Sequence, residues 1–262
     1  MLDRHRPIAW ELSTASAVPE PLRGLLGAMW RDRTIAEHRS IGVFSLYTLD
    51  LLGAGAPAPV LSHACRAALD EVRHAELFGR VTALYLGHQE PPPPGIPPMP
   101  DDPSMTLVQQ VAREALHLGV MSETYSAVSL AAIRDRAVDT VVKQVVDVVL
   151  ADEVHHAQMG WAFVASLLEG DPELRPFLDA EVGPMFRSYV TGVFGDPADL
   201  PEPSVRGADL ELARDHGYES SREGFILFAD TMRDVWTPGL TALGLGVGGL
   251  AEHYAAAAVR WR

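Results

Sequence analysis

Two six-residue stretches of the chain repeat one pattern of acidic residues and histidine. Both read Asp-Glu-Val-x-His-Ala; the first contains Glu71 and His74, and the second contains Glu153 and His156. On an α-helix, residues i and i+3 lie on one face, about 60° apart around the axis and about one turn apart along it. Each pair can therefore present a carboxylate oxygen and an imidazole nitrogen to one metal ion.

A glutamate precedes each copy at a similar distance. Glu37 lies 34 residues before Glu71, and Glu123 lies 30 residues before Glu153. The pattern predicts two helical hairpins, each with one glutamate on its first helix and Glu-x-x-His on its second. Four carboxylates and two imidazoles are enough for two divalent ions with bridging glutamates, as in di-iron and di-manganese helical bundles. The predicted metal ligands, which are also the predicted catalytic residues, are Glu37, Glu71, His74, Glu123, Glu153 and His156.

The ligand types indicate which metal is bound. Carboxylate and imidazole without thiolate suit iron or manganese, so we expect two iron ions per chain, with a manganese and iron pair as the alternative. Cys65 is the only cysteine, which excludes a disulfide within the chain and argues against a cysteine-ligated zinc or iron–sulfur site. Four carboxylates converging in apolar helices without a cation would repel one another, which disfavours a bundle that has lost its metal.

Helix-breaking residues divide the first 170 residues into the elements that must position these ligands. The predicted helices span about residues 22–52, 60–86, 104–133 and 138–168. Residues 90–100 are rich in proline and predict a polyproline-like crossover between the two hairpins. A short loop, a long crossover and a second short loop are typical of a four-helix bundle with one crossover. The sequence therefore predicts an all-α fold.

The predicted domains follow from the same breaks. Residues 1–21 are expected to form an N-terminal arm, residues 22–169 the di-metal bundle, and residues 170–262 a helical extension packed on the bundle. Further helices are predicted near residues 173–193, 208–236 and 249–261. The extension contains no motif that indicates a function.

Charge and hydropathy narrow the range of partners. The net charge is −14 and there is no run of lysine or arginine, which argues against binding to nucleic acid. The N-terminus leads into no apolar segment, and no apolar stretch approaches the length of a membrane span. We therefore expect a cytoplasmic protein without a membrane partner; a homodimer is compatible with the sequence.

These motifs resemble the ferritin-like di-iron carboxylate superfamily over about residues 30–165. The stretch Asp70-Glu-Val-Arg-His74 matches the Asp-Glu-x-Arg-His pattern of several members that activate O2. The resemblance implies a ferritin-like bundle in which Asp70 and Asp152 accept a hydrogen bond from the ligand histidines, fixing their orientation. It also implies that Arg73 holds a carboxylate in place.

Two positions depart from the patterns of the superfamily. His155 stands where an arginine is often found in the second copy of the motif. Val149 stands where the relatives that oxygenate nitrogen have a third histidine. The first departure puts one ion pair in doubt, and the second argues against that subgroup.

The resemblance implies an O2-dependent di-iron oxygenase or oxidase. It would hydroxylate, desaturate or N-oxygenate a small organic substrate, and an external electron donor is compatible with this reaction. The Asp-Glu-x-Arg-His motif, the C-terminal third and the proline-rich crossover favour this function. The alternative is a ferroxidase, a peroxide-scavenging protein or another iron-handling protein of the same superfamily.

Other polar residues have less specific interpretations. Glu114 and His117 form a third Glu-x-x-His, but Glu114 lies nine residues before Glu123, about 180° away on a regular α-helix. We therefore expect Glu114 and His117 at the surface or against the crossover. Tyr125, by the same geometry, points away from the metals.

Small residues recur on the ligand faces of the predicted helices. They are Gly119, Ala127 and Gly160. Such residues allow two helices to pack closely, or they leave room beside the metals for an apolar substrate. The sequence does not decide between these two possibilities.

Overall fold

The computed structural model of the protein describes residues 7–90 and 103–262, and within these ranges it is helical without a β-strand. The all-α prediction is thus confirmed for the described residues, whereas nearly all of the predicted proline-rich crossover lies outside them. The helices are α1 (Glu20–Gly53), α2 (Ala58–Leu86), α3 (Leu107–Ala115), α4 (Glu123–Arg136), α5 (Thr140–Gly170), α6 (Leu174–Phe194), α7 (Ala208–Asp215), α8 (Ser221–Thr231), α9 (Thr237–Ala242) and α10 (Leu250–Ala258). None of those in the described ranges combines the length and apolar composition that a membrane crossing needs.

Two predicted helices are interrupted. The helix expected over residues 104–133 contains a π-helical segment, Leu116–Ser122, between α3 and α4; we call it the first π segment. The helix expected over residues 208–236 breaks between α7 and α8 and ends in a second π segment, Met232–Trp236. Because π-helices bond residue i to residue i+5, they change which residues share a face.

The chain divides into two compact units. Unit 1 comprises the described parts of residues 1–107 together with residues 130–152 and 205–218; unit 2 comprises residues 108–129, 153–204 and 219–262. Helix α5 therefore contributes to both units, with Asp152 as its last residue in unit 1 and Glu153 as its first in unit 2.

In unit 1, α1 and α2 form an antiparallel hairpin. The Trp30 and Phe78 ring centroids are 5.3 Å apart, and both side chains are fully buried. Prolines lie in the first turn of each helix, where the missing N–H costs no hydrogen bond, and α2 ends at Gly87 with φ +78°. The short loop Ala54–Pro57 joins the two helices and keeps them adjacent.

The predicted N-terminal arm contacts the start of α5 in unit 1. The Oδ1 atom of Asp139 accepts hydrogen bonds from the backbone N–H groups of Val141 and Val142 at 2.9 Å each, which satisfies two donors at the helix N-terminus. Its Oδ2 atom accepts from the backbone N–H of Thr14 at 2.7 Å and from the Thr14 hydroxyl at 2.9 Å. One buried aspartate thus joins the arm to α5.

In unit 2, the first π segment crosses α5 at very short range. A Cβ atom added to Gly119 would lie 2.4 Å from the Gly160 Cα atom, and one added to Gly160 would lie 2.3 Å from the Gly119 Cα atom. Only glycine, whose side chain is a single hydrogen atom, lets the two backbones approach this closely. The same unit contains three fully buried aromatic residues that pack against one another: Phe186 of α6, Phe228 of α8 and Trp236 of the second π segment.

Candidate metal centre

Unit 1 contains a cluster of three of the predicted ligands. Helix α1 supplies Glu37, and α2 supplies Glu71 and His74 one turn apart. The Nδ1 atom of His74 lies 3.7 Å from Glu37 Oε2 and 3.6 Å from Glu71 Oε2. Metal bonds of about 2.0–2.2 Å place neighbouring ligand atoms about 3–4 Å apart, so this spacing suits one shared ion. We call these three residues the unit 1 cluster.

The other ring nitrogen of His74 contacts Asp152. The distance from Nε2 to Asp152 Oδ2 is 3.3 Å, and neither side chain is exposed. A proton on Nε2 that is donated to Asp152 leaves the Nδ1 lone pair facing the two glutamates. Asp152 comes from the second copy of the motif, so that copy supplies the aspartate that orients the histidine of the first copy.

Unit 2 contains the matching cluster. Glu123 is the first residue of α4, and α5 supplies Glu153 and His156. The Nδ1 atom of His156 lies 3.3 Å from Glu123 Oε2 and 3.3 Å from Glu153 Oε2. The same three ligand types thus meet at similar distances, again with Nδ1 directed at the carboxylates. We call these residues the unit 2 cluster.

Both clusters contain buried carboxylates, whose ionised forms are destabilised by the loss of water. Glu71 is 1% exposed and Glu153 is 2% exposed. Burial raises the pKa of Glu123 well above its ordinary value, and the neighbouring Glu153 carboxylate raises it further. Two buried like charges favour the protonated form, whereas a bound cation favours the ionised form. A metal ion that binds here must therefore displace a proton, and binding strengthens as the pH rises.

The third Glu-x-x-His lies outside both clusters. Glu114 is half-buried and His117 is exposed, whereas Glu123 is 6% exposed and belongs to the unit 2 cluster. The angle of 180° between Glu114 and Glu123 assumed a regular α-helix, and the first π segment between them breaks that assumption. The hairpin repeat, rather than the helical angle, therefore identifies which of the two glutamates belongs to the cluster.

The remaining sequence predictions have mixed outcomes. Arg73 is half-buried on α2 and forms no ion pair with any residue that the structure describes. Asp70 is half-buried on the same helix, and His155 is half-buried on α5.

The contact of Gly119 with Gly160 decides the open question about these two small residues in favour of close packing, because no substrate fits between them.

Sequence reasoning missed several residues around Glu123. The Trp161 indole N–H donates to the Thr124 hydroxyl at 3.1 Å, and the Trp236 indole N–H donates to the Val120 carbonyl at 2.8 Å. Burial raises the pKa of Tyr189 on α6, and the Glu123 charge raises it further. No repeat or spacing in the sequence marks these aromatic residues.

No family model, no curated protein and no solved structure matches the chain. What the described residues define is a helical protein in which buried glutamates and histidines form clusters that can hold metal ions. The resemblance to the di-iron carboxylate proteins rests on the motif residues and on this clustering alone.

Proposed function

We propose that the chain is a ferritin-like di-iron carboxylate protein that holds two iron ions. The observation that carries the proposal is the repeated geometry, in which His74 and His156 each direct Nδ1 at two glutamates. Asp152, which orients His74, directly precedes Glu153 of the unit 2 cluster in α5.

The donor set fits iron chemically. Each cluster offers two carboxylates and one imidazole and no thiolate, which suits iron or manganese better than a structural zinc site. Four carboxylates carry four negative charges, and two divalent ions neutralise them. Bound cations thus offset the repulsion that raises the pKa of Glu123.

The reaction that we propose is the O2-dependent oxygenation or oxidation of a small organic substrate. A bound ferrous pair would supply two electrons to O2, and an external electron donor would reduce the pair again. The protein itself orients the ligands and excludes water. Asp152 fixes the ring of His74, and burial keeps bulk water from Glu71 and Glu153. Glu37 is the most exposed of the ligand side chains, at 12%.

Burial also favours an oxygenase over an iron-storage protein. Storage requires a route by which oxidised iron leaves the site repeatedly. The side chains of His74, Glu153 and His156 are at most 2% exposed, and Gly119 and Gly160 close the helix crossing near the unit 2 cluster. A dry, closed site instead protects an oxidising reaction from solvent.

Iron stoichiometry tests this proposal. We expect the protein to bind about two ferrous ions per chain under anaerobic conditions, and oxidation by O2 to stop at those two even when iron is in excess. Glu123→Gln should reduce the bound iron towards one per chain, because it removes a ligand charge. Glu114→Gln, on the same helical stretch, is the matched control and should retain two.

Two results contradict the proposal in different ways. Uptake of tens of irons per chain into a mineral core would establish storage instead. Absence of bound iron, or a single zinc ion in the purified and reconstituted protein, would refute the assignment of the ligands.

A further inference from the structure

The C-terminal third of the chain contacts the residues on either side of Glu123. Trp236 is fully buried, and its indole N–H donates to the backbone carbonyl of Val120 at 2.8 Å. Its ring packs against Phe186 and Phe228, with centroids 5.0 Å and 4.9 Å away. Val120 belongs to the first π segment and precedes Glu123 by three residues.

The hydrogen-bond register of the first π segment determines where Glu123 points. The backbone N–H of Glu123 bonds to the carbonyl of Leu118, five residues earlier, instead of four as in an α-helix. A shift of the ladder by one residue would rotate Glu123 by about 100° around the helix axis, away from His156. Because π-helical turns are rare and irregular, contacts from outside the helix have to stabilise this register.

A second contact reaches the other side of Glu123. The Trp161 indole N–H donates to the hydroxyl of Thr124, and both residues belong to unit 2. Gly239, at the start of α9, lies directly against the Trp161 ring, since a Cβ atom there would be 2.5 Å from it. Gly239 therefore allows Trp161 to occupy the position from which it bonds to Thr124.

We propose that Trp236 is a positioning residue for Glu123, acting through the Val120 carbonyl, and that the Gly239–Trp161–Thr124 contact acts with it. The proposal rests on the proposed metal-binding function, and it gives the C-terminal third a role: this part of the chain holds the irregular helix in the register that brings Glu123 to His156. The unit 1 cluster does not depend on these contacts.

Trp236→Phe tests the proposal because it keeps an aromatic ring and removes the N–H group. We expect titration with Mn²⁺ as a redox-stable probe to show two sites in the wild type. In the variant, one site should weaken by about tenfold, the lower end of what loss of an orienting contact costs, while the other stays unchanged. Glu123→Gln and Glu37→Gln identify which site belongs to which cluster.

Trp30→Phe is the matched control. Trp30 is also fully buried, and its indole N–H also donates to a backbone carbonyl, that of His216, at 3.2 Å in unit 1. This variant should lower the melting temperature while leaving both metal affinities unchanged. If Trp236→Phe leaves both affinities unchanged, or if Trp30→Phe weakens the same site equally, the proposal is wrong.

Gly239→Ala provides a second variant in case Trp236→Phe does not fold. The added methyl group must displace the Trp161 ring, so we expect the same site to weaken. Gly24→Ala, where nothing lies within 4 Å of the added atom, is its control and should bind metal normally.

A measurement without metal separates this proposal from the proposed function. In the metal-free protein, the amides of residues 116–124 should exchange hydrogen for deuterium faster in Trp236→Phe than in the wild type. If the wild type binds no metal, the proposed function fails and faster exchange still supports the contact with Trp236. Unchanged exchange would overturn the positioning role whether or not metal binds.

Discussion

The two clusters contain the same residue types, two glutamates and one histidine, but different structural elements hold these residues in place. In unit 1, Glu37 lies on the regular helix α1, opposite Glu71 and His74 on the regular helix α2. In unit 2, Glu123 follows a π segment that crosses α5 with no side chain between the two backbones. A regular hairpin brings the residues of the first cluster together, with Asp152 orienting His74, whereas the second cluster requires an irregular helix.

This difference has a physical origin. On regular helices, the spacing of residues in the sequence determines which side chains share a face, so Glu71 and His74 meet as a matter of helical geometry. A π segment changes that spacing, and its extra residue has to be accommodated by packing. The position of Glu123 in the unit 2 cluster should therefore be sensitive to substitutions of residues far away in the chain, whereas Glu37 and Glu71 of the unit 1 cluster lie on two regular helices.

The largest effect is expected at the helix crossing of unit 2. Gly119→Ala places a methyl carbon 2.4 Å from the backbone of Gly160, so the helices must separate, and we expect a destabilisation of about 3 kcal/mol or more. Gly79→Ala in α2 is the matched change in unit 1. Its methyl group would lie 3.6 Å from Thr34 Cγ2, an ordinary contact, and the higher helix propensity of alanine should stabilise by up to about 1 kcal/mol.

Thermal or urea unfolding of the two variants measures this contrast. Equal stability of Gly119→Ala and the wild type would show that the crossing tolerates separation. In that case the difference between the two units would lose its structural basis.

A smaller effect is expected from Asp152→Asn. The amide keeps the size of the carboxylate but removes the charge that holds the His74 Nε2 proton, so Nδ1 is less firmly directed at Glu37 and Glu71. We expect about tenfold weaker Mn²⁺ binding at the unit 1 cluster and wild-type binding at the unit 2 cluster. Wild-type affinity at both sites would mean that packing alone orients His74.

The sequence predicts which glutamates and histidines come together because they obey a local rule. Glu-x-x-His repeats on long helices whose ends are marked by proline and glycine, and the structure places all four long helical stretches within three residues of the predicted bounds. The distinction between Glu114 and Glu123 also followed from the repeat, although the helical angle used to support it does not apply across a π segment.

The supporting contacts could not be predicted because they join residues far apart in the chain. Trp236 and Val120 are separated by 116 residues, and neither position belongs to a periodic pattern or a motif. For Gly119 and Gly160 the sequence allowed two interpretations, close helix packing or room for a substrate. Only the positions of the two residues in the structure decide between them.

Diffraction at the iron absorption edge tests the central claim most directly. From crystals of the iron-loaded protein grown without O2, we predict two anomalous peaks per chain, one bonded to Nδ1 of His74 and the other to Nδ1 of His156. A single peak, no peak, or iron bound at Glu114 and His117 would contradict the assignment of one iron ion to each of the two clusters.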